Sequence, residues 1–244
     1  MHVEIAKPQE QDLLVRGLAH RMNNILTVFH GYVGLMLENE KLDPNTREGL
    51  SRIKAGAHAA TELMDRAHSL VRQPAVVWRP TDLASFIEKL SSSIEPLRTK
   101  PATAFSISIP EALPKVLTDA GRLRTALLEL LRNAFESTAG TKNGQVSLTV
   151  SLVQPEEAAE FDGDLQPEGW VALAVTDNGP GIPPEIAGKV FQPFFSTKRK
   201  TDSTGLGLNV ANGLIQQCGG VLRHESQPGR TRFALMLPIS AEAA

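Results

Sequence analysis

The chain has 244 residues, 41% of them hydrophobic and 21% charged, a balance that excludes wholesale disorder and allows one large domain or two modest ones. With 25 Lys and Arg against 27 Asp and Glu the formal net charge is −2, so no basic excess points to nucleic acid. The single cysteine, Cys218, excludes an internal disulfide framework and a zinc-finger ligand set. Residues 1–10 carry no signal-peptide core and no apolar run approaches the roughly 20 residues that span a bilayer, so a cytoplasmic protein without membrane insertion is expected.

The first third reads as two helices. From Gln11 to Asn39, apolar residues recur at Val15, Leu18, Met22, Ile25, Phe29, Tyr32 and Met36, a heptad seam. Asp43-Pro44-Asn45 punctuates the chain, and a second seam runs through Leu50, Ile53, Ala57, Ala60, Met64, Ala67 and Val71. Such helices form an antiparallel hairpin, and because one hairpin covers its seam on only one side, a homodimeric four-helix bundle is expected. Gln73-Pro74 ends the second helix and Trp78–Pro80 reads as a linker.

The remaining two thirds of the chain mix helix and strand. A helix is expected over Thr81–Lys100, with Thr81 or Asp82 as its cap, and a strand over Thr103–Ile109. Asp119 can cap a long helix running through Ala139. Further strands are expected at Gln145–Val153, Trp170–Thr176, Gly220–Glu225 and Thr231–Leu237, with an acidic loop at Gln154–Gly169. This order is α+β, with helices covering one face of a sheet. The expected domains are 1–76, the hairpin, and 77–244, the mixed domain.

Three elements of the second domain carry chemistry. Asp177-Asn178-Gly179-Pro180-Gly181 comes after an apolar strand; a carboxylate there can accept from an exocyclic amine, and the glycines let backbone approach a flat ring. Alone, an Asp-capped glycine turn is the stronger reading. Ser203-Thr204-Gly205-Leu206-Gly207-Leu208-Asn209 opens a helical pattern, where exposed N–H groups and the helix dipole suit phosphate; an ordinary loop-to-helix transition fits as well. It is not a Walker P-loop. Glu129 and Asn133, one turn apart on the long helix, offer hard oxygens to Mg²⁺, or simply form a polar face.

In order and spacing, Glu129…Asn133, Asp177-x-Gly179-x-Gly181, Phe191-x-x-Phe194-Phe195 and Gly205-Leu206-Gly207-Leu208 resemble the N, G1, F and G2 boxes of the GHKL ATPase superfamily, and more closely the catalytic domain of bacterial sensor histidine kinases. The resemblance covers about Thr81 to Ser240. It implies an α/β-sandwich ATP-binding domain. Asn133 would coordinate Mg²⁺. Asp177 would bind the adenine amino group with Thr231 nearby, and Gly179 and Gly181 would shape the pocket. Backbone amides along Thr204, Gly205, Leu206, Gly207 and Leu208 would meet the phosphates, and Lys198 would reach them from a lid over roughly Gln192–Thr204. Ser203 stands where the G2 box usually begins with glycine, which would stiffen that lid.

Leu18-Ala19-His20-Arg21-Met22-Asn23-Asn24-Ile25 resembles the phosphoacceptor box of the same kinases, closest to the group reading His-Asp-Phe-Asn-Asn. His20 matches the phosphorylated histidine. It falls at the outermost heptad position, and Asn24 lies a turn away on the same face. Gly17, Gly31 and Gly34 share that face and keep it low for a docking protein. His30, His58 and His68 lack an acceptor-like context.

Arg21 departs from the family, which has a carboxylate after the acceptor. A guanidinium cannot serve as the base, so forward kinase activity is expected to be weak, whereas Asn24 would support dephosphorylation of a partner. The resemblance therefore implies ATP- and Mg²⁺-dependent phosphorylation of His20 and exchange with a response-regulator receiver aspartate. Input would come from a separate sensory protein or from a sensor region outside this chain. Two alternatives stand beside it. One is a non-catalytic phosphotransfer or docking module with a regulatory nucleotide domain. The other is a GHKL enzyme with another acceptor, in which Glu129 is the general base.

Overall fold

The computed structural model describes residues 8–71, 75–98, 103–153, 169–197 and 205–240. By contacts the chain divides into two compact units, Met1–Pro74 with Phe194–Leu206, and Ala75–Pro193 with Gly207–Ala244.

In the first unit, α1 (Pro8–Leu37) and α2 (Pro44–Val71) form the expected hairpin. Pro44 opens α2 where a missing N–H costs nothing, and the Asp43 carboxylate accepts from Thr46 N at 3.0 Å. Arg47 reaches back to the carbonyls of Leu37 (3.0 Å) and Asn39 (2.8 Å), satisfying groups that α1 leaves open at its C-terminus. The packing face differs from the expected seam. Leu26 and Val33, seven residues apart, are buried, with His30 and Leu37 half-buried on the same stripe. Met22, Ile25, Phe29, Tyr32 and Met36 are 37–65% exposed instead. Two adjacent stripes on one helix both satisfy the 3–4 spacing, and the hairpin uses the inner one.

The second unit is a five-stranded sheet backed by helices. Its strands are β2 (Ala104–Ser108), β4 (Gln145–Leu152), β5 (Trp170–Asp177), β6 (Val221–Gln227) and β7 (Arg230–Pro238), in the order β2-β4-β5-β7-β6. Among the described residues only β2 and β4 pair in parallel, with α4 (Ala120–Thr138) in the connection between them. Val146, Leu148 and Val150 on β4 and Val171, Leu173 and Val175 on β5 point to one face. There they meet α3 (Leu83–Ile94) through Leu83, Ile87, Leu90 and Ile94, and α4 through Leu123, Leu127, Leu130 and Phe135. The opposite face carries a small cluster of Trp170, Ala172 and Met236. The fold is α+β, a helical hairpin followed by an α/β sandwich.

Two expectations about the second unit need correction. The segment read as a linker holds β1 (Arg79–Thr81), paired antiparallel with β3 (Val116–Thr118), itself unforeseen; three residues are too few to show an alternation. The helix expected to reach Lys100 ends at Ile94, where Pro96 lacks the N–H to continue and the chain passes into a 3₁₀ turn, Glu95–Leu97. Of the two capping candidates it is Asp82 that caps the helix, accepting from Ser85 N at 2.8 Å, while Thr81 lies in β1. Among the described residues no helix is long and apolar enough to cross a membrane.

Candidate nucleotide site

α4 is the spine of the site. Asp119 caps it, its Oδ1 accepting from Gly121 N (2.9 Å) and Arg122 N (3.2 Å). With the apolar side of α4 committed to the core, Glu129, Asn133 and Ser137 fall at i, i+4 and i+8 as one half-buried polar stripe.

Asp177 lies at the far end of that stripe. It ends β5, is 3% exposed, and its Oδ1 accepts from Ser137 Oγ and Gly179 N, both at 2.8 Å. A Cβ on Gly179 would stand 2.7 Å from Asp177 Oδ1 and 2.8 Å from Ser137 Oγ, so no other residue fits there without shifting the carboxylate. Gly181 has φ +88° and faces the Gln227 carbonyl, which a Cβ would meet at 2.6 Å. Across the ladder Asp177 pairs with Thr231, which is buried; Ser226 Oγ lies 3.0 Å from Thr231 Oγ1 and accepts from Ile182 N at 2.8 Å. The result is a buried carboxylate, the hydroxyls of Ser137, Ser226 and Thr231, and a glycine-lined wall, suited to a flat ring bearing an amine.

A single helical turn, α5 (Pro184–Ala187), precedes α6 (Gly207–Gln217), and α6 meets the other end of the stripe. Gly207 is the first residue of α6, and a Cβ there would lie 2.6 Å from Glu129 Oε2. The carboxylate therefore lies against the positive end of the helix. Leu208 is half-buried against the core, and Asn209 Nδ2 donates to the Phe191 carbonyl at 2.9 Å. The Phe191 ring stands edge-on to His224 (5.4 Å) and Phe233 (6.3 Å), and His224 stacks on Phe233 at 5.7 Å. Burial holds the His224 imidazole below its ordinary pKa of 6.5.

The structure thus brings together Glu129, Asp177, Gly179, Thr231 and Gly207, with Asn133 midway along the stripe. Gly205 and Leu206 belong to the other unit. There Gly205 has φ +65°, and a Cβ would strike the Phe194 backbone at 2.5 Å. Lys198, Ser203 and Thr204 lie outside the described residues, as do the side chains of His20 and Arg21; Asn24 is exposed on α1. Among the described residues no three His, Cys, Asp or Glu converge as a metal cage. Cys218 is buried at the end of α6 as a packed residue. Sequence reasoning missed Ser137 and Ser226. The i+8 spacing from Glu129 signalled the first; only the strand register reveals the second. Asn178 braces the turn: its Oδ1 accepts from Gln145 N (2.7 Å) and its Nδ2 donates to the Asn143 carbonyl (2.9 Å).

A mixed sheet backed by helices, with a buried Asp at one end of a helical polar stripe and a glycine-opened helix at the other, defines a nucleotide-binding α/β sandwich. Residues 118–241 match the family described as histidine kinase-, DNA gyrase B- and HSP90-like ATPases, and the chain belongs to that family. It is 31% identical over 239 residues to the sensory histidine kinase/phosphatase NtrB of Vibrio alginolyticus, covering 96% of this chain and 64% of NtrB. It is 30% identical over 234 residues to the sensor kinase CckA of Brucella abortus, covering 95% of this chain and 24% of CckA. The chain therefore spans less than two thirds of these relatives' length. The full-length ShkA structure, solved with AMPPNP, shares the fold across 98% of this chain and 47% of its own, with a TM-score of 0.70 and 24% identity.

Proposed function

We propose that this chain is a two-component sensor histidine kinase with a phosphatase bias, comprising a hairpin, residues 1–76, and an ATP-binding domain, residues 77–244. The observation that carries the reading is the stripe on α4, which joins Ser137 and Asp177 at one end to Glu129 and Gly207 at the other. Asp177, held by Ser137 and Gly179, accepts from the adenine amine. The first amides of α6 receive the phosphates, with Lys198 reaching them from the lid.

The donor set also fits Mg²⁺: the Asn133 side-chain oxygen and the Glu129 carboxylate are hard ligands of the kind this ion takes alongside phosphate oxygens. When bound, Mg²⁺ neutralises charge on the terminal phosphates. Asn133 orients the phosphate end, and Glu129 holds a negative charge at the start of α6.

His20 is the acceptor, and its phosphoryl group passes to a receiver aspartate of a response regulator. Asn24, exposed one turn away, positions water for the reverse, phosphatase step. Similarity to a relative named a kinase/phosphatase supports both directions. The chain works as a homodimer, because Met22, Ile25, Phe29, Tyr32 and Met36 form an apolar stripe too large to leave in water.

The test is incubation with γ-labelled ATP, using wild type and His20→Ala. Acid-labile label that vanishes in His20→Ala is expected. Acid-stable label retained in the variant would instead assign Glu129 as the base for a hydroxyl acceptor.

A further inference from the structure

The segment that enters the second unit is clipped in place. Val77 N donates to Asp119 Oδ2 at 3.1 Å, while Asp119 Oδ1 separately caps α4. The same Oδ2 lies 3.7 Å from Arg122 Nε, and Arg122, only 8% exposed, donates through Nη1 to Gln217 Oε1. Gln217 is the last residue of α6, whose first residue is Gly207. Burial works to raise the Asp119 pKa, but the N–H donors of Val77, Arg122 and Gly121 and the Arg122 charge outweigh it and leave the carboxyl below its ordinary value.

These contacts form one continuous path from a backbone N–H in the entering segment to the trailing end of the helix that opens at the nucleotide site. We propose that Asp119 and Arg122 are positioning residues that tie the segment Ala75–Trp78 to α6, so that the placement of that segment sets the placement of Gly207. A helix of 11 residues is about 16 Å of rigid rod, and a rod held at one end is steered at the other. The consequence for nucleotide binding rests on the proposed kinase function; the mechanical coupling does not.

The test is hydrogen exchange of the α6 amides, Val210–Gln217, in the full chain. Asn is an equally good cap but offers one oxygen, so Asp119→Asn keeps α4 capped and drops both Val77 and Arg122. Val77→Pro removes the backbone N–H at a residue that is 53% exposed, and Val77→Ala, which keeps that N–H, is the control. Asp119→Asn, Val77→Pro and Gln217→Ala should each speed α6 exchange by about 3- to 10-fold, the loss of one such hydrogen bond. Asp119→Asn combined with Gln217→Ala should do no more than either alone. Faster exchange only in Gln217→Ala, additive effects, or an equal effect of Val77→Ala would overturn the coupling. ATP affinity, measured in parallel, should fall about 3- to 10-fold in the same three variants. A wild type that binds no ATP would refute the nucleotide reading while the exchange data still decide the coupling.

Discussion

The carboxylate of Glu129 occupies the space that a side chain on Gly207 would need, with Oε2 2.6 Å from the position of a Cβ. The N-terminus of α6 and the middle of α4 are therefore fitted to each other through a glycine. Gly207→Ala should displace Glu129, cost about 1–3 kcal/mol of stability and weaken ATP binding. In a Glu129→Ala background the same change should cost nothing, because alanine suits a helix better than glycine. Thermal unfolding of the single and double variants measures this difference.

Asp177→Asn should weaken ATP about 10- to 100-fold, the cost of losing a charged acceptor for a buried amine. Ser137→Ala, which removes a hydroxyl at 2.8 Å but leaves the carboxylate and Gly179 N, should cost several-fold less. Calorimetric titration with ATP ranks the two. Equal affinity for Asp177→Asn and wild type would remove Asp177 from the site.

Ile25→Asp with Phe29→Asp should give monomers, since each places a charge in the exposed apolar stripe that the proposed dimer would bury. Light scattering at tens of micromolar reads the mass. A wild-type monomer at that concentration would refute the dimer.

Arg21→Glu should raise His20 labelling by about 10²–10⁴-fold, the usual value of a positioned general base, with ATP affinity nearly unchanged. Asn24→Ala should instead slow dephosphorylation of a receiver domain and leave labelling intact. Loss of labelling in Arg21→Glu from a rapidly labelling wild type would make Arg21 itself catalytic.

His224 sets an acid limit on stability. Burial holds its folded pKa below 6.5, so the unfolded chain binds its proton first as pH falls. The stability it contributes is complete above 6.5 and is lost as pH drops from there toward the folded value. His224→Phe, which keeps the stack on Phe233, should flatten this dependence in denaturant titrations run about one pH unit to either side of the ordinary histidine value. An unchanged slope would show that other groups govern it.

Much of this was legible from residue order. Asp119 announced α4 because a capping carboxylate before an apolar stripe has few other uses, and the alternation in Gln145–Leu152 could only be a half-buried strand. The glycines at 179, 181 and 207 marked places where backbone meets another group closely. Other features depend on distant partners. β1 and β3 stabilise each other through three residues apiece, and neither has a local signature. Leu26 and Val33, rather than Ile25 and Phe29, face α2, a choice between two equally periodic stripes made by the partner helix. Ser226 joins the site only through the β6–β7 register, which sets it opposite Thr231.

The spacing of Glu129, Asn133 and Ser137 makes α4 a gauge. Eight residues at about 1.5 Å per residue separate the Ser137 end from the Glu129 end by about 12 Å, and no hinge lies between them. Each end is locked to a different part of the unit, Ser137 to β5 through Asp177 and Glu129 to the start of α6. On the proposed reading, with the base at Asp177 and the phosphates at the start of α6, the site would measure the distance between them as well as bind each end. A nucleotide one phosphate shorter would then still satisfy Asp177 but stop short of the far mark, so that the state of the triphosphate would be read as a length.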